Sequence, residues 1–396
     1  MKRRPASFPA CASAESSTRS VRNNFSGRWC RMNKMALKIA VIGGGNGNFT
    51  AAAEMALAGH TVSLWSDAPG RHERLFSDRS IHLEGILGRG EASLARVSQD
   101  PKEVIDGADV IIAFMPAYTQ EKTAHIIGPH LEDGQIVFLC PGSLGSYLLC
   151  TIWKENGWLK DVAVAEPGTL PYLARKTGLN TVQVSGRAVR LPVGVFPARK
   201  TEEATGVLKE LYPAIHSVEN AMSVSLLNVG PILHSVLVLL NTGPIEHLPA
   251  WDIHNEGTTP SVKKLILAQD RERVAVRSAM GFQSHPYPFS DHYDPNSENE
   301  WMYGRKAHTD LVKSEKWREP LTFEHRYVRE DVKCNLALLS SIGDFCGVET
   351  PIADGLLTLI GTITGENYRA SGRTLASLGL ADRTREELFR ILQEGI

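Results

Sequence analysis

The chain carries its most diagnostic stretch near the start, Leu37-Lys-Ile-Ala-Val-Ile-Gly-Gly-Gly-Asn-Gly-Asn48. A short apolar run that ends at glycines predicts a buried parallel strand. The segment 49–58 is rich in alanine and has helical spacing, and Gly59 supplies a stop after it. Strand, glycine loop and helix in this order predict the opening of a dinucleotide-binding α/β fold.

The glycine loop departs from the G-x-G-x-x-G pattern at its third glycine position, which is Asn48. Gly43 permits the tight turn, and Gly45 lets the backbone approach a pyrophosphate at the helix N-terminus. Asn48 predicts a looser contact between helix and strand than a third glycine would allow. We expect Gly43, Gly45, Asn46, Gly47 and Asn48 to bind a nicotinamide coenzyme.

The region after the second strand bears on which coenzyme is used. An acid there binds the ribose hydroxyl of NAD, whereas an arginine accommodates the phosphate of NADP. Asp67 lies one place late for this role, and Arg71 is close enough to compete. The coenzyme is therefore NAD or NADP, and Asp67 slightly favours NAD.

Strands and helices continue to alternate along the first half of the chain. The pattern predicts strands at 61–65, 108–114, 134–139, 182–184 and 187–195, all in one parallel sheet with helices on both faces. Helical periods dominate after about residue 219, at 226–240, 261–280, 331–346 and 352–364. The predicted fold class is a Rossmann-type doubly wound α/β domain at 37–218, followed by a mostly α-helical domain at 219–396.

Two segments do not follow this pattern. Residues 1–36 hold eight Lys or Arg against one acid, Glu15. A transit-type leader would have this composition, but we favour a disordered or wrongly assigned start, with Met32 or Met35 as the true first residue. Residues 281–318 are polar and mix His, Tyr, Pro, Asp and Trp, which predicts an irregular excursion or lid.

Composition narrows the function classes. A formal net charge of −1 over 396 residues argues against nucleic-acid and membrane-surface partners. The six cysteines have no metal-ligand spacing, so we expect no metal site and a reducing, cytoplasmic location. The apolar run at 224–240 contains Asn, His, Gly and Pro and has no basic flank, which favours a core helix over a membrane span.

Three polar side chains interrupt that apolar run, namely Asn228, His234 and Asn241. A buried polar group without a partner costs roughly 1–3 kcal/mol. Pro231 after Gly230 fits a helix start, and His234 and Asn241 would then share a helix face. Position alone slightly favours a packed core histidine over a catalytic one.

Several separated motifs, taken together, resemble the opine dehydrogenases, the octopine/nopaline dehydrogenase family. The resemblance runs from about Lys38 to near the C-terminus, and it rests on the glycine loop, 141–143, 166–175, 228–241, 326–332 and 347–351. It implies reductive condensation of an amino acid with a 2-oxo acid through an imine. It also implies that His234 is the general acid/base, that Asp331 pairs with it and that Arg326 holds a substrate carboxylate.

The residue chemistry agrees with these roles. A histidine with a carboxylate partner suits proton transfer near neutral pH, and a guanidinium binds carboxylates bidentately. Asn228 and Asn241 could orient His234 or substrate, while Pro116 and Glu166 complete the coenzyme-binding candidates. The partners are then small-molecule substrates, with a homodimer left open.

Simpler roles and other functions stay open. Asp331 could be an acid in the first turn of a helix, although Glu330 beside it could serve that purpose instead. Arg326 could form an ion pair on the surface. A hydroxy-acid or polyol-phosphate dehydrogenase shares the two-domain plan, but such enzymes commonly use a helix-borne lysine that 226–241 lacks. A third alternative is an NAD(P)-binding sensor without turnover.

Overall fold

A mixed eight-stranded sheet organises the first half of the molecule. The computed structural model describes residues 36–294, 296, 301–304 and 317–396. Their strands are β1 (Lys38–Ile42), β2 (Thr61–Trp65), β3 (Ser80–Gly85), β4 (Gly90–Ser93), β5 (Arg96–Ser98), β6 (Val110–Phe114), β7 (Ile136–Cys140), β8 (Ala163–Pro167), β9 (Tyr172–Lys176), β10 (Thr181–Arg187), β11 (Leu191–Phe196), β12 (Ile215–Ser217), β13 (Trp251–Asp252) and β14 (Arg318–Glu319). The strands of the large sheet are ordered β12-β11-β8-β7-β6-β1-β2-β5.

The helices cover the sheet and build the second half of the chain. They are α1 (Asn46–Leu57), α2 (Glu73–Asp78), α3 (Lys102–Ile105), α4 (Gln120–Ile127), α5 (Gly145–Glu155), α6 (Thr201–Leu211), α7 (Ala221–Ser225), α8 (Gly230–Leu240), α9 (Thr242–His247), α10 (Pro260–Ala279), a π-helix (Tyr327–Leu336), α11 (Ala337–Cys346), α12 (Pro351–Thr364), α13 (Tyr368–Ser371) and α14 (Arg385–Glu394).

Burial explains why β1 lies in the middle of the large sheet. It pairs in parallel with β2 on one side and β6 on the other, and its last four residues are almost completely buried. An uninterrupted apolar run fits a strand that is covered on both faces. The predicted Rossmann-type sheet followed by helices is therefore confirmed. One detail differs, because β11 runs antiparallel to β8 and the sheet is mixed.

The prediction that 182–184 belongs to the large sheet was wrong. These residues lie in β10, within a separate four-stranded sheet ordered β4-β3-β10-β9 that packs on α1. Buried and half-buried residues alternate along β10, because one face meets the protein and the other faces outward. This alternation, visible in Thr181-Val-Gln-Val-Ser185, is typical of a half-buried strand rather than of a strand covered on both faces.

The apolar segment at Ala221–Leu240 is long and apolar enough to cross a membrane, and 56% of its most apolar window is buried in the protein. It is divided into α7 and α8, and α8 packs against the π-helix and α10. Core helices pass the same length and composition test, so the span carries little weight as evidence of a membrane.

Part of the predicted excursion at 281–318 can be described. Arg273 on α10 donates to the backbone oxygens of Pro286 and Tyr287, which fixes the first part of the excursion to the helical region. Residues 295, 297–300 and 305–316 lie outside the described residues, as does the predicted leader up to residue 35.

Candidate active site

His234 and Asp331 meet between α8 and the π-helix. Nδ1 of His234 lies 2.7 Å from Oδ2 of Asp331, and both side chains are largely buried. An ionised carboxylate only accepts hydrogen bonds, so Nδ1–H donates and the lone pair of Nε2 stays available. This arrangement is an oriented imidazole with one ring nitrogen ready to take or give a proton.

The start of α8 explains how Asp331 comes so close. A Cβ on Gly230 would lie 2.5 Å from Oδ1 of Asp331, which is closer than real Cβ atoms approach. Asn228 accepts a hydrogen bond from the backbone N–H of Gly230 at 2.9 Å. Glycine and asparagine therefore shape the turn that admits the carboxylate, and Asn228 lies beside the His–Asp pair.

The π-helix sets the directions of two neighbouring acids. Its wider turn is seen where the N–H of Ala337 reaches the oxygen of Val332, five residues back. Glu330 accepts a hydrogen bond from the N–H of Ala117 at 3.0 Å, while Asp331 turns to His234. Glu330 is the acid in the first turn of the π-helix, as the sequence allowed, and its side chain is buried. π-Helical turns often occur at functional sites.

Aromatic rings enclose His234. The ring of Tyr327 stacks on it with centroids 3.8 Å apart, and His254 meets it edge-on at 5.3 Å. The Tyr327 hydroxyl hydrogen-bonds Nε2 of His254 at 3.0 Å and donates to Glu319 at 3.2 Å. These contacts hold the imidazole in one orientation.

Burial governs the charge of the pair. It lowers the pKa of His234 well below the ordinary value, and the positive charges of Arg326 and His325 act in the same direction. Burial raises the pKa of Asp331, and the positive charges of Arg326 and His325 oppose this rise. The imidazole is therefore neutral at neutral pH and is poised to accept a proton.

Two guanidinium groups lie near the pair. Arg326 is 3.3 Å from Glu330, and its buried Nε has no hydrogen-bond partner among the residues the structure describes. Arg175 lies over the ring of Trp317 at 5.1 Å, and its charge acts on Tyr327 and His325. A surface ion pair does not account for Arg326, because its partner Glu330 is buried.

The glycine loop leaves space next to Gly45, where a ligand could approach the backbone. A Cβ there would meet nothing closer than 3.8 Å, whereas one on Gly47 would lie 2.5 Å from the ring of Phe114. Gly43 has φ +108°, which strongly favours glycine. The N-terminus of α1 carries no acidic residue in its first turn and no side-chain cap. Free N–H groups therefore face the place where a pyrophosphate would lie.

The expectation that Asn48 loosens the loop was wrong. Its amide donates to the oxygen of Phe114 at 3.1 Å and accepts from the N–H of Phe114 at 3.0 Å, so it ties α1 to β6. The close approach that the third glycine would have made occurs at Gly47 instead. Asn46 accepts a hydrogen bond from the N–H of Lys176 at 3.0 Å.

Four other predicted residues make no hydrogen bond to His234 or Asp331 in the described part of the chain. Asp67 pairs with Lys122 at 2.7 Å, and Pro116 follows β6 at the end of the large sheet. Glu166 is buried and accepts hydrogen bonds from the N–H groups of Leu144 and Ser146. Asn241 caps α8, donating to the oxygens of Leu237 and Gly257 and accepting from Trp251, so its hydrogen bonds are those of a structural residue.

Sequence reasoning missed several residues that the structure places here, namely Arg175, His254, Trp317, Glu319, His325 and Tyr327. Arg175 and Tyr327 lie in stretches already singled out, and the spacing His325-x-Tyr327 beside Arg326 was a usable signal. His254 and Trp317 approach through the chain fold and gave no local signal. No group of three or more metal-ligating side chains occurs within the described ranges.

Comparison with known proteins identifies the family. Residues 217–364 match the family described as NAD/NADP octopine/nopaline dehydrogenase, alpha-helical domain. An opine dehydrogenase of Arthrobacter sp. (strain 1C) is 30% identical over 350 residues, covering 87% of this chain and 96% of the relative. The chain belongs to the opine dehydrogenase family. Protein ocs of Agrobacterium vitis is 26% identical over 370 residues, covering 90% and 99% of the two chains.

A solved octopine dehydrogenase with NADH and L-arginine shares the fold of this family member. Its TM-score is 0.70 at 18% identity, and the match covers 89% of this chain and 98% of that one. The resemblance that the motifs predicted is confirmed. The protein is therefore an NAD(P)-dependent oxidoreductase.

Proposed function

We propose that the protein is an opine dehydrogenase that condenses an amino acid with a 2-oxo acid and reduces the resulting imine at the CH–NH bond. The observation that carries this proposal is the His234–Asp331 hydrogen bond of 2.7 Å, with two guanidinium groups close by. A proton-transfer group next to cationic carboxylate anchors suits two substrates that each bear a carboxylate.

His234 would move the protons that the condensation requires. Nε2 would take a proton from the ammonium group of the amino acid, and the freed amine attacks the carbonyl carbon while a second nitrogen proton passes to the carbonyl oxygen. Nε2 then returns its proton to the resulting hydroxyl, which leaves as water and yields a protonated imine. Asp331 stabilises the charged imidazolium and keeps Nδ1–H in place. The reduced nicotinamide supplies the hydride that converts the imine carbon into the CH of a secondary amine.

The guanidinium groups would hold the two carboxylates. We assign one to Arg326, as the family resemblance implies, and the other to Arg175, whose side chain is exposed beside Trp317. Asn228 would orient the turn at Gly230 rather than touch substrate. Asn241 remains a weaker candidate, because its hydrogen bonds are already made.

The coenzyme would lie on the glycine loop, with Gly43, Gly45 and the N-terminus of α1 around its pyrophosphate. Gly47 and Asn48 would keep that loop in place, and Glu166 would do the same for the backbone between β7 and α5. Pro116 ends β6, where ligands of such sheets lie. The ion pair of Asp67 with Lys122 weakens the argument for NAD.

This function implies a division of labour within the chain. Residues 37–218 would hold the coenzyme, and residues 219–396 would supply His234, Asp331 and Arg326. We propose a cytoplasmic location, which suits the free cysteines Cys140, Cys150, Cys334 and Cys346. A homodimer is an open proposal that sedimentation would test.

A coenzyme-oxidation assay tests the function. The purified protein is given NADH or NADPH with an amino acid and pyruvate or 2-oxoglutarate, and each substrate is also tested alone. Oxidation that needs both substrates supports opine synthesis. Oxidation with the oxo acid alone supports a hydroxy-acid dehydrogenase instead, and coenzyme binding without turnover supports a sensor.

A further inference from the structure

Basic side chains gather beside the glycine loop, near the end of β2. Nζ of Lys176, on β9, donates to the backbone oxygen of Gly44 at 3.1 Å and lies 3.3 Å from Nε2 of His72. The His72 ring covers Gly44, where a Cβ would come within 2.0 Å of the ring. Arg71 precedes His72 and is exposed, and its positive charge adds to burial in lowering the pKa of both Lys176 and His72.

This basic group has no carboxylate ion-pair partner within the described ranges. Neither Lys176 nor Arg71 forms an ion pair with a carboxylate in the described part of the chain. Burial and the charge of Arg71 lower the pKa of Lys176. The negative charge of Asp67 acts to raise the pKa of His72, but the Asp67 carboxylate is already paired with Lys122. The partly buried ammonium of Lys176 and the nearby guanidinium of Arg71 repel each other, and a bound anion would relieve this repulsion.

The residue that follows β2, Ser66, is also compatible with a bound anion. In dinucleotide-binding folds this position reads the adenosine ribose, and a carboxylate here favours the free hydroxyl of NAD. The chain has Ser66, whose Oγ lies 2.8 Å from Nδ1 of His72. A neutral hydroxyl would not repel a phosphate at this place, and its contact holds the His72 ring toward Lys176.

We propose that Lys176 and Arg71, with Lys176 positioned by His72, form a subsite for the 2′-phosphate of NADP(H), so that the enzyme prefers this coenzyme to NAD(H). The proposal rests on the proposed placement of the coenzyme on the glycine loop. It reverses the preference suggested by Asp67 in the sequence. Lysine and arginine side chains are the usual partners of a phosphate monoester.

Calorimetry with two nucleotides that lack nicotinamide tests the subsite without turnover. Adenosine 2′,5′-bisphosphate carries the 2′-phosphate, and adenosine 5′-monophosphate does not. The wild-type protein should bind the bisphosphate about tenfold or more tightly, the ratio expected for charge-assisted hydrogen bonds. Lys176→Ala should remove most of this ratio, and Lys176→Arg should keep it.

Matched variants separate charge recognition from loop structure. Arg71→Ala alters an exposed side chain and should weaken binding of the bisphosphate several-fold while leaving the monophosphate unchanged. It decides the matter if Lys176→Ala fails to fold. Lys264→Ala removes one charge from an exposed position on α10 and should change neither affinity.

The outcomes separate this inference from the proposed function. Equal affinity for the two nucleotides, equal weakening of both by Lys176→Ala, or no binding of either would overturn the subsite. Equal affinity in an enzyme that makes opines leaves the proposed function standing. Discrimination for the bisphosphate in a protein that makes no opine would leave the subsite standing and remove the proposed function.

Discussion

His234 has one ring nitrogen committed to Asp331 and another that is left for substrate. His234→Gln removes the group that exchanges the proton, so kcat should fall by about 10²–10⁴ in steady-state assays. The coenzyme dissociation constant should stay within about twofold, because the glycine loop is untouched. His247→Gln, at an exposed histidine of α9, is the control and should behave as wild type. A fully active His234→Gln enzyme would remove the acid/base assignment.

The lowered pKa of His234 has a consequence for pH dependence. Opine oxidation needs the neutral imidazole as a base, so kcat/KM falls as pH drops through that pKa. Burial, Arg326 and His325 all lower it, so the acid limb should lie below pH 6.5, the ordinary histidine value. The profile of kcat/KM for oxidation measures this directly, and an acid limb above pH 7 would contradict the neutral resting imidazole.

The close contact between α8 and the π-helix depends on a glycine, Gly230, which has no side chain. Gly230→Ala would place a Cβ 2.5 Å from Oδ1 of Asp331. The helices must shift, so the free energy of unfolding should fall by about 1–3 kcal/mol, and kcat should fall because Asp331 is displaced. Gly243→Ala in α9 is a matched control, since its Cβ would meet nothing within 4 Å. Denaturant unfolding compares the two, and equal stability of both variants would rule out the close contact.

Features that depend on neighbouring residues were predicted from the sequence, whereas contacts between distant segments of the chain were not. The strand at 61–65 and the helix that ends near residue 364 were placed well, because periodicity and end signals are local. The second part of the π-helix was predicted as the start of an α-helix at 331–346, since the hydrophobic spacing in a sequence does not separate the two helix types. His254 reaches His234 from a separate segment, and no local pattern announces such a contact.

Buried carboxyl groups link the stability of the whole molecule to pH. Burial raises the pKa of Glu166 from 4.5 to about 7. The folded state therefore binds a proton more tightly than the unfolded chain, and this stabilisation is present below pH 4.5 and is lost as pH rises through about 7.

Glu166→Gln removes this group together with one of its acceptors. The variant should be less stable than wild type at pH 5, and the gap should shrink by up to about 3 kcal/mol by pH 8, where the wild type bears the buried charge. Unfolding by urea at several pH values measures the gap. A gap that widens with rising pH would show that the carboxyl is ionised at low cost.

The small sheet carries two candidate ligand-binding cations on one strand, β9. Consecutive residues of β9 point to opposite faces, so Arg175 meets Trp317 while Lys176 meets the ring of Phe49 above the glycine loop. The proposed carboxylate anchor and the proposed phosphate anchor are therefore joined by a single peptide unit.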